Sequence, residues 1–560
     1  MQIAGYYPNT KKMMKNVFLL LMLLLPACNQ APVTEITPWI PYDESEELAQ
    51  NADHQSPKMR YKLIQSKNLD KNAIWENVAG QIRNFSEEDY QRLKPLILEQ
   101  DIPAIQSHIL SGELSYEKLT QWYLYRIVKF ENDRNTTLNN IIAINPDAVS
   151  EARERDKNRS AGDHPIYGMP IMLKDNVGME GLPTTAGASA LLNNNTPDAF
   201  IVERIKEKGG IILGKTNLSE WANYLSSACP NGYSAVGGQT LNPYGRRKFD
   251  TGGSSSGSGT SMAANYAAAA VGTETSGSIL SPSSASSIAG LKPTVGLLSR
   301  SGIVPLSGTL DTPGPMTRNV TDNAILLSAM CGEDSSDNAT KNNPKNVKYW
   351  EELGTASMEG LRFGVSNDLL KDSLFMLTVD KIVSLGGIAI EFEPEKIRLD
   401  GFGTLLSADM KADLPAYLDK YASDNIEIRS VKEIADYNMA DTLVRIPYGQ
   451  TIFEEIIKLE ISPEELLQLK TKLHADAVSY FEKPMTEYQL DAILSVNNRN
   501  AGNAAAAFYP CLTVPMGYRN TGAPAGITFI VRPFEEDKLL RIGYAFEQGT
   551  KMRQLPEAYK

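Results

Sequence analysis

Between two serine-rich glycine loops, Gly252–Gly259 (GGSSSGSG) and Gly272–Leu280 (GTETSGSIL), the chain runs through almost nothing but small side chains. This stretch constrains the fold more than any other. Gly259–Asn265 reads as the core of a helix lined with Ala and Ser, and Ala267–Gly272 as a buried strand. About ten helical residues, counting frayed ends, rise roughly 15 Å, and about five strand residues cover roughly 16 Å on the way back. The helix and strand therefore bring both serine loops to one end of a sheet, and the small side chains let the helix lie close against it.

Glycine loops free backbone N–H groups to point at a developing negative charge. Serines supply nucleophile and relay. Upstream lies a lysine in an apolar setting, Pro170-Ile-Met-Leu-Lys174-Asp-Asn176. An amine at the end of a buried strand loses hydration of its charged form, so its pKa falls and the neutral amine can accept a proton. Together these features point to hydrolytic chemistry that does without histidine.

The chain has 560 residues, 42% hydrophobic and 22% charged, with a net charge of −12. That is globular composition with length for a large core, and its even pattern indicates one large α/β unit with extensions. No Lys/Arg-rich run forms a nucleic-acid footprint. At the N-terminus Lys11, Lys12 and Lys15 precede the apolar run Val17–Leu25 and Pro26-Ala27-Cys28. This reads as a secretory signal, too short to span a bilayer. Leu25-Pro26-Ala27-Cys28 resembles a bacterial lipobox with Cys28 as the lipidated residue, and translation starting at Met13 or Met14 would suit it. The expectation is a leader over residues 1–28, a polar tether over 29–57, and a body over 58–560 held at the cell envelope by the N-terminal lipid alone. Cys229, Cys331 and Cys511 form no CxxC pair, and an odd count excludes a full disulfide framework.

Further along, Ser86–Glu99, Tyr116–Phe130 with Ser115 as cap, Ala148–Lys157 and Phe200–Lys208 read as helices, and Asn217 or Ser219 as the cap of a helix through Trp221. Pro170–Leu173, Ile211–Leu213, Tyr509–Pro515 and Ala525–Val531 read as strands. Glu333–Lys345 reads as an exposed loop, and residues 399–494 as a largely helical, charged variable region.

Three motifs invite other functions. Gly209-Gly-Ile-Ile-Leu-Gly214-Lys215-Thr216 fits Walker A spacing, but Ile211–Leu213 stand where the phosphate cradle should be. Gly253-Ser-Ser255-Ser-Gly257 fits a nucleophile elbow, which needs a later histidine, and of four histidines only His474 follows. Ser115-Tyr-Glu-Lys118 fits S-x-x-K but opens an amphipathic helix. Four scattered histidines and no H-E-x-x-H make a metal site a poor reading, and the chemistry above requires no metal or cofactor.

At these residues the chain resembles the amidase signature family. The resemblance rests on Gly168–Asn176, Gly252–Ser261, Gly272–Leu280, Gly290–Gly296, Asp311–Met316 and Ala545–Gln548, and spans roughly residues 90–555. Gly272–Ile279 and Asn217–Ala222 are similar to the bacterial peptide amidase branch. It implies a single large α/β domain with a central mixed, twisted sheet covered by helices. It implies a Ser–cisSer–Lys triad in which Ser278 is nucleophile, Ser254 the bridging serine in a cis peptide bond, and Lys174 the base. It also implies an oxyanion hole of backbone N–H groups from Thr275, Ser276, Gly277 and Ser278. The family's two serines are 24 positions apart, as here. Glu274 stands in place of the family's Asp, Ser256 in place of a usual glycine, and Ser276-Gly277-Ser278-Ile279-Leu280 in place of GGS-Ile-Arg.

The expected activity is hydrolysis of a small-molecule or peptide amide to acid plus ammonia or amine. The alternatives are an amidotransferase-type subunit of a tRNA-dependent complex, which an export signal opposes, and a catalytically silent surface lipoprotein.

Overall fold

A computed structural model describes residues 1, 2, 5, 34–160, 162–341, 343 and 347–560. The leader and Cys28 lie outside the described residues. The body is built on an eleven-stranded mixed sheet. In spatial order its strands are β1 (Ile141–Ile144), β3 (Ile211–Thr216), β2 (Pro170–Lys174), β6 (Ala269–Glu274), β8 (Thr312–Thr317), β7 (Ala289–Lys292), β12 (Cys511–Tyr518), β13 (Pro524–Ile530), β11 (Ala492–Val496), β9 (Arg362–Ser366) and β10 (Ile388–Phe392). A ribbon of β4 (Tyr233–Ser234) and β5 (Gly238–Gln239) stands apart.

β3, β2 and β6 run parallel, and every residue in them is buried. Continuous apolar or small residues suit a sheet covered on both faces. β6 pairs with Thr312–Met316 of β8 in antiparallel register, which sets Glu274 against Thr312. The C-terminal ends of β2 and β6 therefore open together, where open α/β sheets hold their ligand crevice. The small-residue helix spans Ser256–Ala263 and packs on β6 and β2. A Cβ on Gly257 would sit 2.3 Å from the carbonyl oxygen of Asn217, so the approach admits only glycine.

Helices Glu87–Ile97 and Tyr116–Glu131 are capped by Ser86 and Ser115. The S-x-x-K pair is that second cap, with Ser115 accepting from the Lys118 N–H. β3 runs straight through the Walker-like stretch, and Lys215 is buried, donating to the Val177 carbonyl and, at 3.1 Å, to Thr184. Residues 399–494 carry the helices Phe402–Tyr421, Val431–Met439, Thr442–Arg445, Thr451–Lys458 and Pro463–Glu487. Cys229, Cys331 and Cys511 are buried free thiols. Among the described residues no helix is long and apolar enough to cross a membrane.

Three expectations need correction. From Thr34 to Pro57 the stretch read as a tether lies against the body. The Thr34 N–H donates to the Arg83 carbonyl, Glu44 accepts the N–H groups of Ile64 (3.2 Å) and Gln65 (2.8 Å), and Ser45–Asn51 is helical. Polar composition here marks hydrogen bonding to the core edge rather than solvation. Within Glu333–Lys345, Asp334 and Asp337 are buried because they accept from Ser299 and Arg300. The helix expected through Trp221 is a short left-handed turn, with φ of 51° at Trp221, 56° at Ala222 and 73° at Asn223. Its form follows from tertiary bonds: the Ser219 N–H donates to the Ser254 carbonyl and the Trp221 N–H to the Ala186 carbonyl.

Candidate active site

Lys174 ends β2 and is fully buried. Its Nζ has three oxygens around it: Ser254 Oγ at 2.8 Å, Thr273 Oγ1 at 2.8 Å and the Thr273 carbonyl at 3.1 Å. The Gly253–Ser254 peptide bond is cis. Burial pulls the Lys174 amine down to about 7 from its ordinary 10.5, against the opposing pull of the Asp311 and Glu274 carboxylates. A lysine in that range is close to half neutral near pH 7.

The loop after β6 carries the second serine. The Ser255 N–H donates to the Ser278 carbonyl (3.1 Å), which sets the nucleophile candidate beside the Ser254–Ser255 segment. Ser278 itself is 8% exposed. The loop is shaped from within by Glu274, whose carboxylate accepts the N–H groups of Gly277 (2.7 Å), Ile279 (2.7 Å) and Leu280 (2.9 Å). Burial raises Glu274 above the ordinary carboxylate range, opposed by those donors and by Lys292. Gly277 has φ of +92°, a conformation that favours glycine, and a Cβ there would also press on the Asn498 side-chain amide at 2.8 Å.

Gly277 does not fit its expected place in the oxyanion hole, because its N–H is taken by Glu274. Thr275, Ser276 and Ser278 remain as candidate donors. Ser255 and His474 do not form a dyad: the Ser255 hydroxyl donates to the Thr273 carbonyl (3.0 Å), and His474 Nδ1 lies 2.8 Å from the Ala506 carbonyl against Phe508.

A cavity of about 260 Å³ adjoins this cluster, walled by Asn176, Thr273, Thr275, Val304–Leu306 and Asp311, and by Asp413, Ala416, Tyr417, Lys420 and Tyr421 of the variable helical region. Among the described residues no group of His, Cys, Asp and Glu is arranged to hold a metal ion.

Three residues of the site carry functions that reading the sequence did not assign. Thr273 holds the lysine, Ser255 binds the Thr273 backbone on both sides (its N–H donates to Ser255 Oγ at 3.2 Å), and Asp311 engages Thr275. All three lie inside motifs already singled out: Thr273 and Ser255 stand close to the two serines in sequence, whereas Asp311 reaches the site only through the pairing of β8 with β6.

The amidase family model matches residues 118–442. The chain belongs to the amidase signature family. A crystal structure of an amidase family protein from Bacillus anthracis shares 37% identity with a TM-score of 0.83, covering 88% of this chain and 100% of that one. Native peptide amidase from Stenotrophomonas maltophilia shares 36% identity with a TM-score of 0.78, covering 82% of this chain and 99% of that one. A probable amidase of Arabidopsis thaliana is 36% identical over 484 residues, 82% of this chain and 92% of that protein. As a member of this family the chain is an amide-hydrolysing enzyme, and the large mixed sheet under helices is the family's architecture.

Proposed function

We propose that this amidase cleaves a carboxylic amide, with the C-terminal amide of a peptide as the leading candidate, through a Ser278 acyl-enzyme served by Ser254 and Lys174. The observation that carries the reading is the setting of the Lys174 amine. A neutral amine has two N–H bonds and one lone pair. The Thr273 carbonyl can only accept, and Thr273 Oγ1 lies at 2.8 Å. With both N–H bonds given to Thr273, the lone pair faces the Ser254 hydroxyl at 2.8 Å. Thr273 Oγ1 is itself held by the Asn176 side-chain amide at 3.0 Å.

Lys174 then takes the Ser254 proton as Ser254 takes that of Ser278. The Ser278 oxygen bonds to the amide carbon, and the carbonyl oxygen becomes an oxyanion facing the Thr275, Ser276 and Ser278 N–H groups. The proton returns through Ser254 to the leaving nitrogen, and the C–N bond breaks. Water repeats the sequence on the acyl-enzyme, releasing acid and free Ser278. Losing one oxyanion donor in such a site costs roughly 10²–10³ in rate.

Turnover of a peptide amide and of an activated anilide by Ser278→Ala and Lys174→Ala tests the assignment. Both variants should lose nearly all activity while remaining folded, and full activity in either would overturn it. The peptide-amide preference is supported by the similarity to a protein named peptide amidase. A panel in which only aryl or fatty amides are cleaved would remove that preference and leave the chemistry standing.

The same proposal places the enzyme at the bacterial envelope, exported and lipid-anchored at Cys28, on the strength of the Leu25–Cys28 pattern. Cys28→Ala should move the protein from the detergent phase to the aqueous phase on partition. Partition unchanged by the substitution would refute the anchor.

A further inference from the structure

Asp311 immediately precedes β8, across from the end of β6, and the proton path above uses it as neither acid nor nucleophile. Its contacts nevertheless join the two sides of the site. One carboxylate oxygen, Oδ1, accepts from the Thr275 hydroxyl. The other, Oδ2, accepts the backbone N–H groups of Leu306 (2.7 Å) and Ser307 (2.9 Å). Thr275 belongs to the candidate oxyanion segment, and Leu306 belongs to the loop that walls the cavity.

That wall loop is fastened from its far side as well. The Ser307 hydroxyl donates to Asp409, the Gly308 N–H donates to Asp413 at 2.6 Å, and Arg300, gripped by Asp337, donates to the Gly308 carbonyl. Asp409 and Asp413 sit on the helix Phe402–Tyr421 of the variable region. A continuous set of hydrogen bonds thus runs from that helix through the wall loop to Asp311, and on to Thr275.

We propose that Asp311 is a positioning residue for amide hydrolysis: its carboxylate fastens the oxyanion segment, through the Thr275 hydroxyl, to the loop that walls the substrate cavity. The inference rests on the proposed Ser278 mechanism. It predicts that the Asp311–Thr275 bond serves the transition state rather than ground-state binding. An N–H group displaced by a fraction of an ångström from the oxyanion loses most of its effect on rate while the substrate still binds. The acceptor must also be a carboxylate. An amide at 311 could take the Thr275 hydroxyl on its oxygen, but its NH₂ would then face the two N–H donors of Leu306 and Ser307.

The experiment compares Thr275→Val, Thr275→Ser and Asp311→Asn on one peptide amide, with inhibition by the matching peptide aldehyde, whose adduct with Ser278 carries the oxyanion. Valine matches threonine in shape and keeps the N–H, and serine keeps the hydroxyl. Thr275→Val and Asp311→Asn should lower kcat by about tenfold or more with KM within about twofold, and weaken aldehyde inhibition by the same factor as kcat/KM. Thr275→Ser should stay within about threefold of wild type. Wild-type kcat in Thr275→Val, an equal loss in Thr275→Ser, or a change confined to KM would overturn the proposal. The valine and serine variants decide the matter even if Asp311→Asn fails to fold. Full activity in Ser278→Ala would instead sink the mechanism on which the proposal stands, so the two failures are distinguishable.

Discussion

Replacing Lys174 by methionine should abolish turnover and, at neutral pH, make the protein more stable. Each tenfold change in proton affinity corresponds to 1.36 kcal/mol. Lowering the amine from 10.5 to about 7 therefore amounts to about 5 kcal/mol of unfavourable burial in the charged form. The sign follows from proton counting. Between pH 7 and 10.5 the unfolded chain binds more protons at this residue than the folded one, so the lysine's contribution to stability is complete above 10.5 and is lost as pH falls through 7. Methionine fills much of the same volume without that penalty, and its own cost lies in hydrogen bonding. The Thr273 carbonyl keeps the Ser255 hydroxyl and Thr273 Oγ1 keeps Asn176, which leaves Ser254 Oγ short of a partner at about 1–3 kcal/mol. The net expectation is a gain of about 2–4 kcal/mol at pH 6–7 that shrinks by about 1.4 kcal/mol per pH unit and changes sign before pH 10.5. Denaturant unfolding of both proteins across pH 6–10 measures it, and heat denaturation should show the variant melting a few degrees higher at low pH, roughly 1 °C per kcal/mol for a chain this long. A difference between the two proteins that stays constant with pH would refute the claim that burial neutralises this amine.

The same amine sets a pH profile: kcat/KM should rise tenfold per pH unit up to about 7 and level off above it, because only the neutral amine accepts a proton. Asp311→Asn should move that limb to lower pH, since the Asp311 carboxylate is the foremost charge holding the lysine up; a limb that stays in place would separate the two groups. Gly257→Ala should cost at least about 2 kcal/mol in chemical denaturation, because its Cβ meets backbone atoms of Asn217 at 2.3 and 2.6 Å, which no rotamer change relieves. Gly80→Ala, in the helix Lys71–Ile82 with nothing within 4 Å, should instead gain about 0.5–1 kcal/mol.

The features legible in the sequence are local. Ser115 followed by an apolar face predicts the helix that spans Tyr116–Glu131. The run of small residues after Gly257 predicts the tight helix–strand return, which the structure realises as Ser256–Ala263 and Ala269–Glu274, each shifted by a few residues. The pairing of Lys174 with a serine 80 positions later followed from the family resemblance and the strand-end setting, and the structure brings the two within 2.8 Å. The unread parts depend on contacts between distant segments. Asp311 meets Thr275 only because β6 and β8 are antiparallel neighbours, a pairing that no spacing rule announces. Gly277 left the oxyanion set because Glu274 curls back onto three N–H groups of its own loop. Asp334 and Asp337 look like surface charges until Ser299 and Arg300 arrive from another part of the chain. Nothing in Trp221-Ala222 signals positive φ; the carbonyls of Ser254 and Ala186 impose it.

The central claim is that a neutral Lys174 activates Ser278 through Ser254. Fluorophosphonate labelling followed by peptide mass mapping, repeated across pH 5–9, tests it most directly. The account predicts one adduct, on Ser278, formed at a rate that rises through about pH 7 and is lost in Lys174→Ala and Ser254→Ala. An adduct on Ser255, or labelling of Ser278 at an undiminished rate without Lys174, would contradict it.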